Sequence, residues 1–145
     1  MIYCAENSKS RKATEARMTQ SIETRNDAIL VQKARLVAEA VESKKARDIK
    51  AFDVRGLTLI ADIFILCTAT SEPQIKAVTN AAREAVRDAG HAVLRVEGDH
   101  RCGWLVVDFG DVILHVFRPQ AREFYDLDRL WGDAPEVTLC DHNND

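Results

Sequence analysis

The chain has 145 residues, of which 46% are hydrophobic and 30% charged, a composition typical of one soluble globular domain. Its formal net charge of -3 excludes a globally basic surface for nucleic acid. No apolar run approaches the roughly 20 residues that cross a bilayer, and residues 1–26 contain no signal-peptide core, so we expect a cytoplasmic protein. The four cysteines form no Cys-x-x-Cys pair and are expected to be free thiols.

The first 26 residues differ in composition from the rest of the chain. They carry five basic and three acidic side chains, are rich in Ser and Thr, and lack helical periodicity. We therefore expect residues 1–26 to be a flexible basic leader, with Met18 as an alternative translation start. The domain itself is expected at 27–137, and a polar, acidic tail at 138–145.

A helix, two strands and a second helix are predicted to open the domain. Apolar spacing from residue 28 to about 45 predicts an amphipathic helix, with Asp27 as its N-cap. IKAFDV (49–54) and DIFILCT (62–68) read as strands, and the second is apolar enough to be buried on both faces. The next helix is predicted over 73–89, because Ser71 precedes it as a cap and a glycine follows it.

Three strands and a last helix complete the predicted domain. HAVLRVEG (91–98) is the third strand, the run 104–117 supplies the fourth and fifth, and AREFYDLDRLW (121–131) is a terminal helix. The order α-β-β-α-β-β-β-α predicts an α/β (α+β mixed) fold. This is a single domain with a five-stranded mixed sheet flanked by helices.

The stretch WLVVDFGDVILHVF (104–117) holds two aspartates and a histidine around a tight turn. A two-residue turn at Phe109–Gly110 would place a positive φ on a bulky side chain, so turn rules favour a type I turn followed by a left-handed Gly110 bulge. In that register Trp104 and His115 lie on opposite faces of the sheet. In the alternative register the two residues are directly opposite each other.

One alternative function is that of a small nucleotidyltransferase or phosphohydrolase using Asp108, Asp111 and His115. The two aspartates straddle a turn rather than project from one strand face, and the sequence contains no Gly-rich phosphate-binding loop. Asp126 and Asp128 lie on a predicted helix, where side chains at i and i+2 diverge. We therefore interpret Asp108 as a turn residue and His115 as a strand residue with satisfied hydrogen bonds.

Two further alternatives concern metal and RNA. A metal site would use Glu97, Asp99, His100 and Cys102, but this spacing matches no recurrent zinc pattern and favours a solvated loop. An RNA-binding ribosome assembly factor would act through the Lys- and Arg-rich leader. We expect no metal, no cofactor and no enzymatic activity.

Five segments, in their order and spacing, resemble the ribosomal silencing factor family, also called Iojap-like proteins, over residues 28–137. They are DVRGLT-IAD (53–62), TSEPQIKAV (70–78), RVEG (95–98), W-VVDFGDVILHVF (104–117) and REFYDLDRLWGDAP (122–135). The resemblance implies a domain similar to nucleotidyltransferases but without their catalytic carboxylates. Two departures, Ala69 where the family commonly has Gly and Glu72 where it has a small or polar residue, fall at the cap of the second helix.

The resemblance also implies a partner and a mechanism. Family members bind the large ribosomal subunit through its protein number fourteen, block joining with the small subunit and so repress translation, notably when nutrients are scarce. Trp104 and Tyr125 are the partner contacts that it carries over, and a homodimer is also implied. From residue 104 to residue 133 there are six acidic and three basic side chains, which favours a basic partner. Weaker candidate contacts are Asp111, Glu123 and Asp126.

Overall fold

A computed structural model describes residues 13–99 and 101–137, with side chains from residue 27 onward. The elements in chain order are α1 (Ala13–Ser43), β1 (Arg47–Asp53), β2 (Ile63–Thr68), α2 (Glu72–Asp88), β3 (Arg95–Asp99), β4 (Trp104–Asp108), β5 (Val112–Phe117), α3 (Pro119–Tyr125) and α4 (Leu127–Leu130). This order confirms the predicted α+β domain, with the terminal helix divided in two. Residues 1–12 of the expected leader and the expected tail at 138–145 lie outside the described residues.

The five strands form one mixed sheet in the order β1-β2-β5-β4-β3. The central pair β2–β5 is parallel, and the other three pairs are antiparallel. Every residue of β2 and β5 is buried, as the uninterrupted apolar run of β2 predicts. At one edge β1 is covered by the C-terminal segment, where the amide of Val137 donates to the carbonyl of Ala51 over 2.8 Å. Among the described residues the outer edge of β3 pairs with no strand.

Two apolar layers cover the two faces of the sheet. On one face α1 and α2 pack against side chains of the strands that are mostly aliphatic, and this layer includes Val37, Val41, Ile75, Val78, Ile65 and Leu114. On the other face α3, α4 and the segment after them pack against a set that includes Phe52, Phe64, Leu66, Phe117 and Trp131. The second layer is therefore the aromatic one, and we call this face of the sheet the aromatic face.

The predicted signals around α2 are confirmed. The Oγ of Ser71 accepts a hydrogen bond from the amide of Gln74 over 3.2 Å, which satisfies one of the free amides of the first turn. A proline stands in that turn, and Gly90 follows the last turn with φ of 90°. The buried side chains of α2 are Ile75, Val78, Thr79, Ala82 and Val86.

Helix α1 begins at Ala13, about fourteen residues before the predicted start. The segment 13–26 is therefore helical, which corrects the prediction of a flexible leader for that part of the chain. The periodicity argument missed it because no apolar stripe marks the segment, yet extending an existing helix is far easier than nucleating one. Asp27 consequently lies inside the helix rather than at its N-cap, and its carboxylate forms an ion pair with Arg55 over 2.7 Å.

The β4–β5 hairpin has neither of the two predicted registers. The amide of Phe109 donates to the carbonyl of Val112 over 2.9 Å, so Gly110 and Asp111 are the two residues of the turn. Gly110 has φ of 96° and is the first central residue, the position where a type II′ turn takes glycine. Trp104 therefore pairs with Phe117, whereas the alternative register would have paired it with His115, two residues earlier. Trp104 and His115 consequently lie on the same face of the sheet.

The predicted terminal helix is broken at Asp126, which has left-handed φ and ψ of 51° and 48°. Arg122 holds the corner that results. Its guanidinium donates to both carboxylate oxygens of Asp128 over 3.0 and 2.8 Å, to the carbonyl of Asp48 over 2.6 Å and to the Oγ1 of Thr68 over 2.9 Å. The hydrogen bonds from Arg122 hold the pKa of Asp128 below its usual range. These contacts, which join α3 to β1, β2 and α4, were not visible in the sequence.

A buried lysine fastens the hairpin turn to α1. Lys33 is almost fully buried, and its ammonium donates to the carbonyl of Phe109 over 2.6 Å and to the carboxylate of Asp111 over 2.8 Å. A buried charge is tolerated where its hydrogen bonds are satisfied. The carboxylate and the turn carbonyl accept from two of the three N–H groups of this ammonium.

We expect Asp111→Ala to lower the free energy of unfolding by about 1–2 kcal/mol, because it leaves the buried ammonium of Lys33 with one acceptor fewer. Urea unfolding followed by circular dichroism measures this change. The matched control is Glu123→Ala, which removes an exposed carboxylate and should shift the midpoint very little. Equal stability of the two variants would contradict a structural role for Asp111.

Candidate functional site

Three aromatic side chains at one end of the sheet form a partly exposed cluster, which we call the docking surface: Trp104, Phe124 and Tyr125. The rings of Trp104 and Tyr125 lie 4.6 Å apart between centroids, and those of Phe124 and Tyr125 lie 5.1 Å apart, nearly perpendicular. Phe124 is 80% exposed and Tyr125 is 42% exposed. The structure therefore brings the two predicted contacts, Trp104 and Tyr125, together and adds a third aromatic side chain.

The docking surface rests on a buried aromatic stack. The ring of Trp104 lies over Phe117, with centroids 5.2 Å apart and planes inclined by 26°, and His115 is the next ring at 5.9 Å. Phe64 meets His115 edge-on at 5.0 Å, and it meets Trp131 in the same way at 5.1 Å. Trp104 and Trp131 are both only partly buried, and both pack against this aromatic layer.

His115 is held by one hydrogen bond and by burial. The indole Nε1 of Trp104 donates to the Nδ1 of His115 over 3.2 Å, which assigns the neutral tautomer with its proton on Nε2. Burial lowers the pKa of His115 from 6.5 to about 4. Its Nε2 is buried and has no hydrogen-bond partner among the described residues, so the expectation of a fully satisfied histidine was wrong for this atom. The ring also lies among aromatic side chains rather than the aliphatic ones adjacent to it in sequence.

The backbone around Trp104 depends on close approach by a glycine. Gly98 of β3 lies beside Trp104 with φ of 96°, and a Cβ added to this glycine would collide with the carbonyl oxygen of Trp104. Across the same strand pair Asp99 is the Cα partner of Trp104. On the other side the amide of Arg118 donates to the carbonyl of Gly103 over 2.9 Å, which joins the start of β4 to the start of α3. Both contacts fix where the indole emerges from the sheet.

The three weaker candidates are not part of the aromatic cluster, although two of them adjoin it in the chain. Asp111 is in the hairpin turn, at the opposite end of β4 and β5 from Trp104, and it pairs with a buried lysine. Glu123 and Asp126 are exposed and line a cleft of about 460 Å³ that also contains Arg47 and Lys50. Neither lines the cleft in which Tyr125 lies. The acidic side chains that were grouped from the sequence therefore occupy separate places.

The cleft beside the docking surface has a basic component. Its volume is about 460 Å³, and its lining includes Arg101, Arg118, Phe124 and Tyr125. Arg101 pairs with Asp99 over 3.2 Å. The Nε of Arg118 is buried without a hydrogen-bond partner among the described residues. An incoming protein would thus meet aromatic rings together with charges of both signs.

The side chains that suggested an enzyme do not converge. One carboxylate oxygen of Asp108 accepts from the amide of Gly110 over 2.8 Å, as expected for a turn residue, and the other lies 3.4 Å from Arg95. Asp111 is engaged by a lysine, and His115 lies within the aromatic stack. Burial raises the pKa of the Cys67 thiol to about 12, so this thiol is not an activated nucleophile.

The metal hypothesis needs His100, which lies outside the described residues. Within residues 13–99 and 101–137 no group of three or more His, Cys, Asp or Glu side chains is arranged to hold a metal ion. Cys67 and Cys102 are free thiols, and the remaining cysteines, Cys4 and Cys140, fall outside the part of the chain that the structure describes.

Sequence reasoning missed Phe124 and the role of His115. Phe124 directly precedes Tyr125, and a prediction of one continuous helix gave no sign that both rings would be accessible. The signal that could have found it is the run of two aromatic residues after a helix-starting proline at residue 119. The contact of His115 with Trp104 depended on the hairpin register, which the turn rules placed incorrectly.

The fold and this surface define a small α+β protein that carries a partly exposed aromatic cluster at one end of its sheet. A family model described as "Ribosomal silencing factor during starvation" matches residues 26–145. The chain belongs to the ribosomal silencing factor family. No helix within the described residues has the length and apolar character needed to span a membrane.

Individual relatives and solved structures agree with this assignment. Proteins named ribosomal silencing factor RsfS from Halalkalibacterium halodurans and Bacillus subtilis are each 39% identical to the chain, over 72% of it and 89% of their own length. The chloroplastic protein Iojap of Zea mays is 35% identical over 82% of this chain and 52% of its own. A crystal structure of a protein from Chromobacterium violaceum, 36% identical, superposes with a TM-score of 0.67 over 70% of this chain and 84% of that one.

We expect acidification from pH 8 to pH 5 to destabilise the protein through His115. The unfolded imidazole takes up a proton over this range, whereas the buried one, with a pKa of about 4, stays mostly neutral. The unfolded state therefore binds more protons, and the free energy of unfolding falls by about 2 kcal/mol for a shift of this size.

Urea unfolding of the wild type and of His115→Leu at both pH values measures this contribution. The difference between the two proteins isolates His115 from the other histidines and the carboxylates. An identical pH dependence in both would contradict neutral burial of this side chain.

Proposed function

We propose that this protein binds the large ribosomal subunit through its protein number fourteen, and that it represses translation in the cytoplasm by blocking the joining of the small subunit. The proposal rests on membership of the ribosomal silencing factor family and on one observation in particular. That observation is the docking surface, where the partly buried Trp104 packs on Phe117 and on Tyr125, and the rings of Phe124 and Tyr125 are exposed.

The docking surface has the properties of a protein-binding anchor. Aromatic side chains bury a large area for few rotatable bonds, and those that contribute most to binding are usually held in place before the partner arrives. Trp104 meets this condition because it packs on Phe117 and is hydrogen-bonded to His115. Phe124 is a large apolar group that leaves 80% of its surface exposed, although its ring meets that of Tyr125. A binding role would account for this exposure.

Charge supports a basic protein as partner at long range. The net charge of the chain is -3, which repels the phosphates of rRNA and attracts a basic ribosomal protein during encounter. At contact range the arginines of the adjoining cleft, together with the exposed Glu123 of α3 and Asp126 directly after α3, add charges of both signs. We propose that this arrangement, more than the net charge, selects the partner.

The proposed mechanism is steric and involves no chemical step. A domain of 16.3 kDa docked on the face of the large subunit that meets the small subunit occupies the space that the small subunit needs. An interface of standard size, about 800 Å² per partner, is enough for stable docking. The aromatic cluster would form the centre of this interface, and the charged side chains would form its rim.

A second copy of the chain is a further proposed partner. The outer edge of β3 pairs with no strand among the described residues, and Leu94 and Val96 are exposed beside it. Unpaired edges of this kind are available for strand pairing between copies.

Sedimentation of the purified protein with isolated large and small subunits, separately, through sucrose gradients tests the proposed function. We expect co-migration with the large subunit alone and fewer joined ribosomes when all components are mixed. Deleting residues 1–12 should leave this binding unchanged. If the deletion abolished binding, the result would favour the RNA-binding alternative. Absence of binding to either subunit would contradict the proposal.

We expect Trp104→Ala, Phe124→Ala and Tyr125→Ala each to weaken large-subunit binding, by about thirtyfold for the most central side chain. This factor corresponds to the loss of about 2 kcal/mol that truncation of an aromatic anchor typically costs. Binding of labelled protein to large subunits measures it, and circular dichroism confirms that each variant is folded.

The matched control is Leu59→Ser, which removes a fully exposed apolar side chain in the β1–β2 loop. The first residue of β2 after this loop pairs with Val112 beside the hairpin turn, so Leu59 lies at the far end of the sheet from Trp104. It should bind like the wild type. Wild-type binding by all three aromatic variants would remove the docking surface from the proposed mechanism.

A further inference from the structure

The indole N–H of Trp104 is already used within the fold. It donates to the Nδ1 of His115 over 3.2 Å, across the β4–β5 pair. The two residues are diagonal neighbours on the same face, because the Cα partner of Trp104 is Phe117, two residues beyond His115. An indole nitrogen carries a single hydrogen and accepts none. The exposed side of Trp104 therefore offers a partner only ring carbon atoms.

His115 has little other reason to be polar. The side chain is buried among Trp104, Phe117 and Phe64, and no group in the described part of the chain forms a hydrogen bond with its Nε2. An aliphatic residue would fill the site without that penalty. The only polar contact that its side chain makes among the described residues is the one with Trp104. A buried polar group that contacts only a surface residue is well placed to orient that residue.

We propose that His115 is a positioning residue of the docking surface, which holds the indole of Trp104 in one orientation so that its ring, and not its N–H, meets the partner. This inference rests on the proposed function, because it deepens the account of the same surface. Fixing a side chain before binding reduces the ordering that association must otherwise supply. The unpaired Nε2 then lowers the stability of the fold, and the histidine is kept because it orients Trp104 for binding.

The inference specifies the chemistry of the partner at two points. Opposite Trp104 the partner presents an apolar group, since a carbonyl or carboxylate placed there would lose water and gain no hydrogen bond. The phenol of Tyr125, whose ring lies 4.6 Å from that of Trp104, is the polar atom that the aromatic rings can offer. Within the described residues no hydrogen bond engages this hydroxyl. The docking surface therefore suits a partner that places an apolar side chain against Trp104 and a hydrogen-bond acceptor near the hydroxyl of Tyr125.

Two substitutions separate positioning from simple packing. His115→Leu removes the acceptor and keeps a buried apolar side chain, whereas His115→Asn places its Oδ1 near the position of the imidazole Nδ1. We expect about fivefold weaker large-subunit binding for His115→Leu and most of the wild-type affinity for His115→Asn. Because the leucine also removes an unsatisfied buried nitrogen, its stability at pH 7 should not fall in parallel with binding.

The chain has two tryptophans, so the indole region of a ¹H–¹⁵N spectrum reports the contact directly. In His115→Leu the Trp104 indole signal should shift and exchange with solvent at least tenfold faster. The signal of Trp131, which packs against Phe64, should change much less and serves as the internal reference. An unchanged Trp104 signal would overturn the inference.

A double-mutant cycle with Trp104→Phe completes the test. Phenylalanine keeps an aromatic ring and removes the N–H, so His115→Leu should change binding less than twofold in this background, against fivefold in the wild type. An equal loss in both backgrounds would show that His115 acts by general packing and would overturn the inference while leaving the proposed function intact. Failure of the wild type itself to bind the large subunit would overturn both.

Discussion

The register of the β4–β5 hairpin is the constraint on which the candidate site depends. Side chains alternate along a strand, so a slip of one residue would move Trp104 from the aromatic face to the face covered by α1 and α2. Three features of the turn and its contacts oppose such a slip. Gly110 has a left-handed φ, the carboxylate of Asp108 accepts its amide hydrogen, and Lys33 binds both the Phe109 carbonyl and Asp111. A contact at one end of the sheet thereby fixes the position of an indole at the other.

The unequal cover of the aromatic face explains why that indole is accessible. The helices α3 and α4 and the C-terminal segment pack over β1, β2 and β5, and Phe52, Phe64 and Phe117 are buried beneath them. Tyr125 is the last residue of α3, and its ring contacts that of Trp104. Trp104, the first residue of β4, therefore lies at the edge of the covered area. Arg122 sets this margin, because its contacts with β1, β2 and α4 fix the corner from which α3 projects. The same contacts that complete the core thus determine how much of Trp104 remains open.

Much of the fold follows from local sequence, whereas the site depends on contacts between distant residues. The apolar runs of β2 and β5, and the cap at Ser71, contain enough local information to place these elements. The partners of Asp111 and Arg122 lie 78 and 74 residues away in the chain, and no periodicity reveals such pairs. The prediction of the hairpin register was wrong for a related reason. Turn rules compared two turns around Phe109, but the actual turn was selected partly by the distant Lys33.

An acidic stretch of sequence is not the same as an acidic surface. Of the carboxylates between β4 and the end of α4, Asp108, Asp111 and Asp128 are engaged by basic side chains of the fold. Glu123 and Asp126 line one cleft, and the cleft that includes Tyr125 contains two arginines. Net charge can therefore favour the approach of a basic protein without describing the contact that follows. At contact the discrimination between partners depends on matching fixed rings and charges of both signs, an arrangement that similar composition alone does not reproduce.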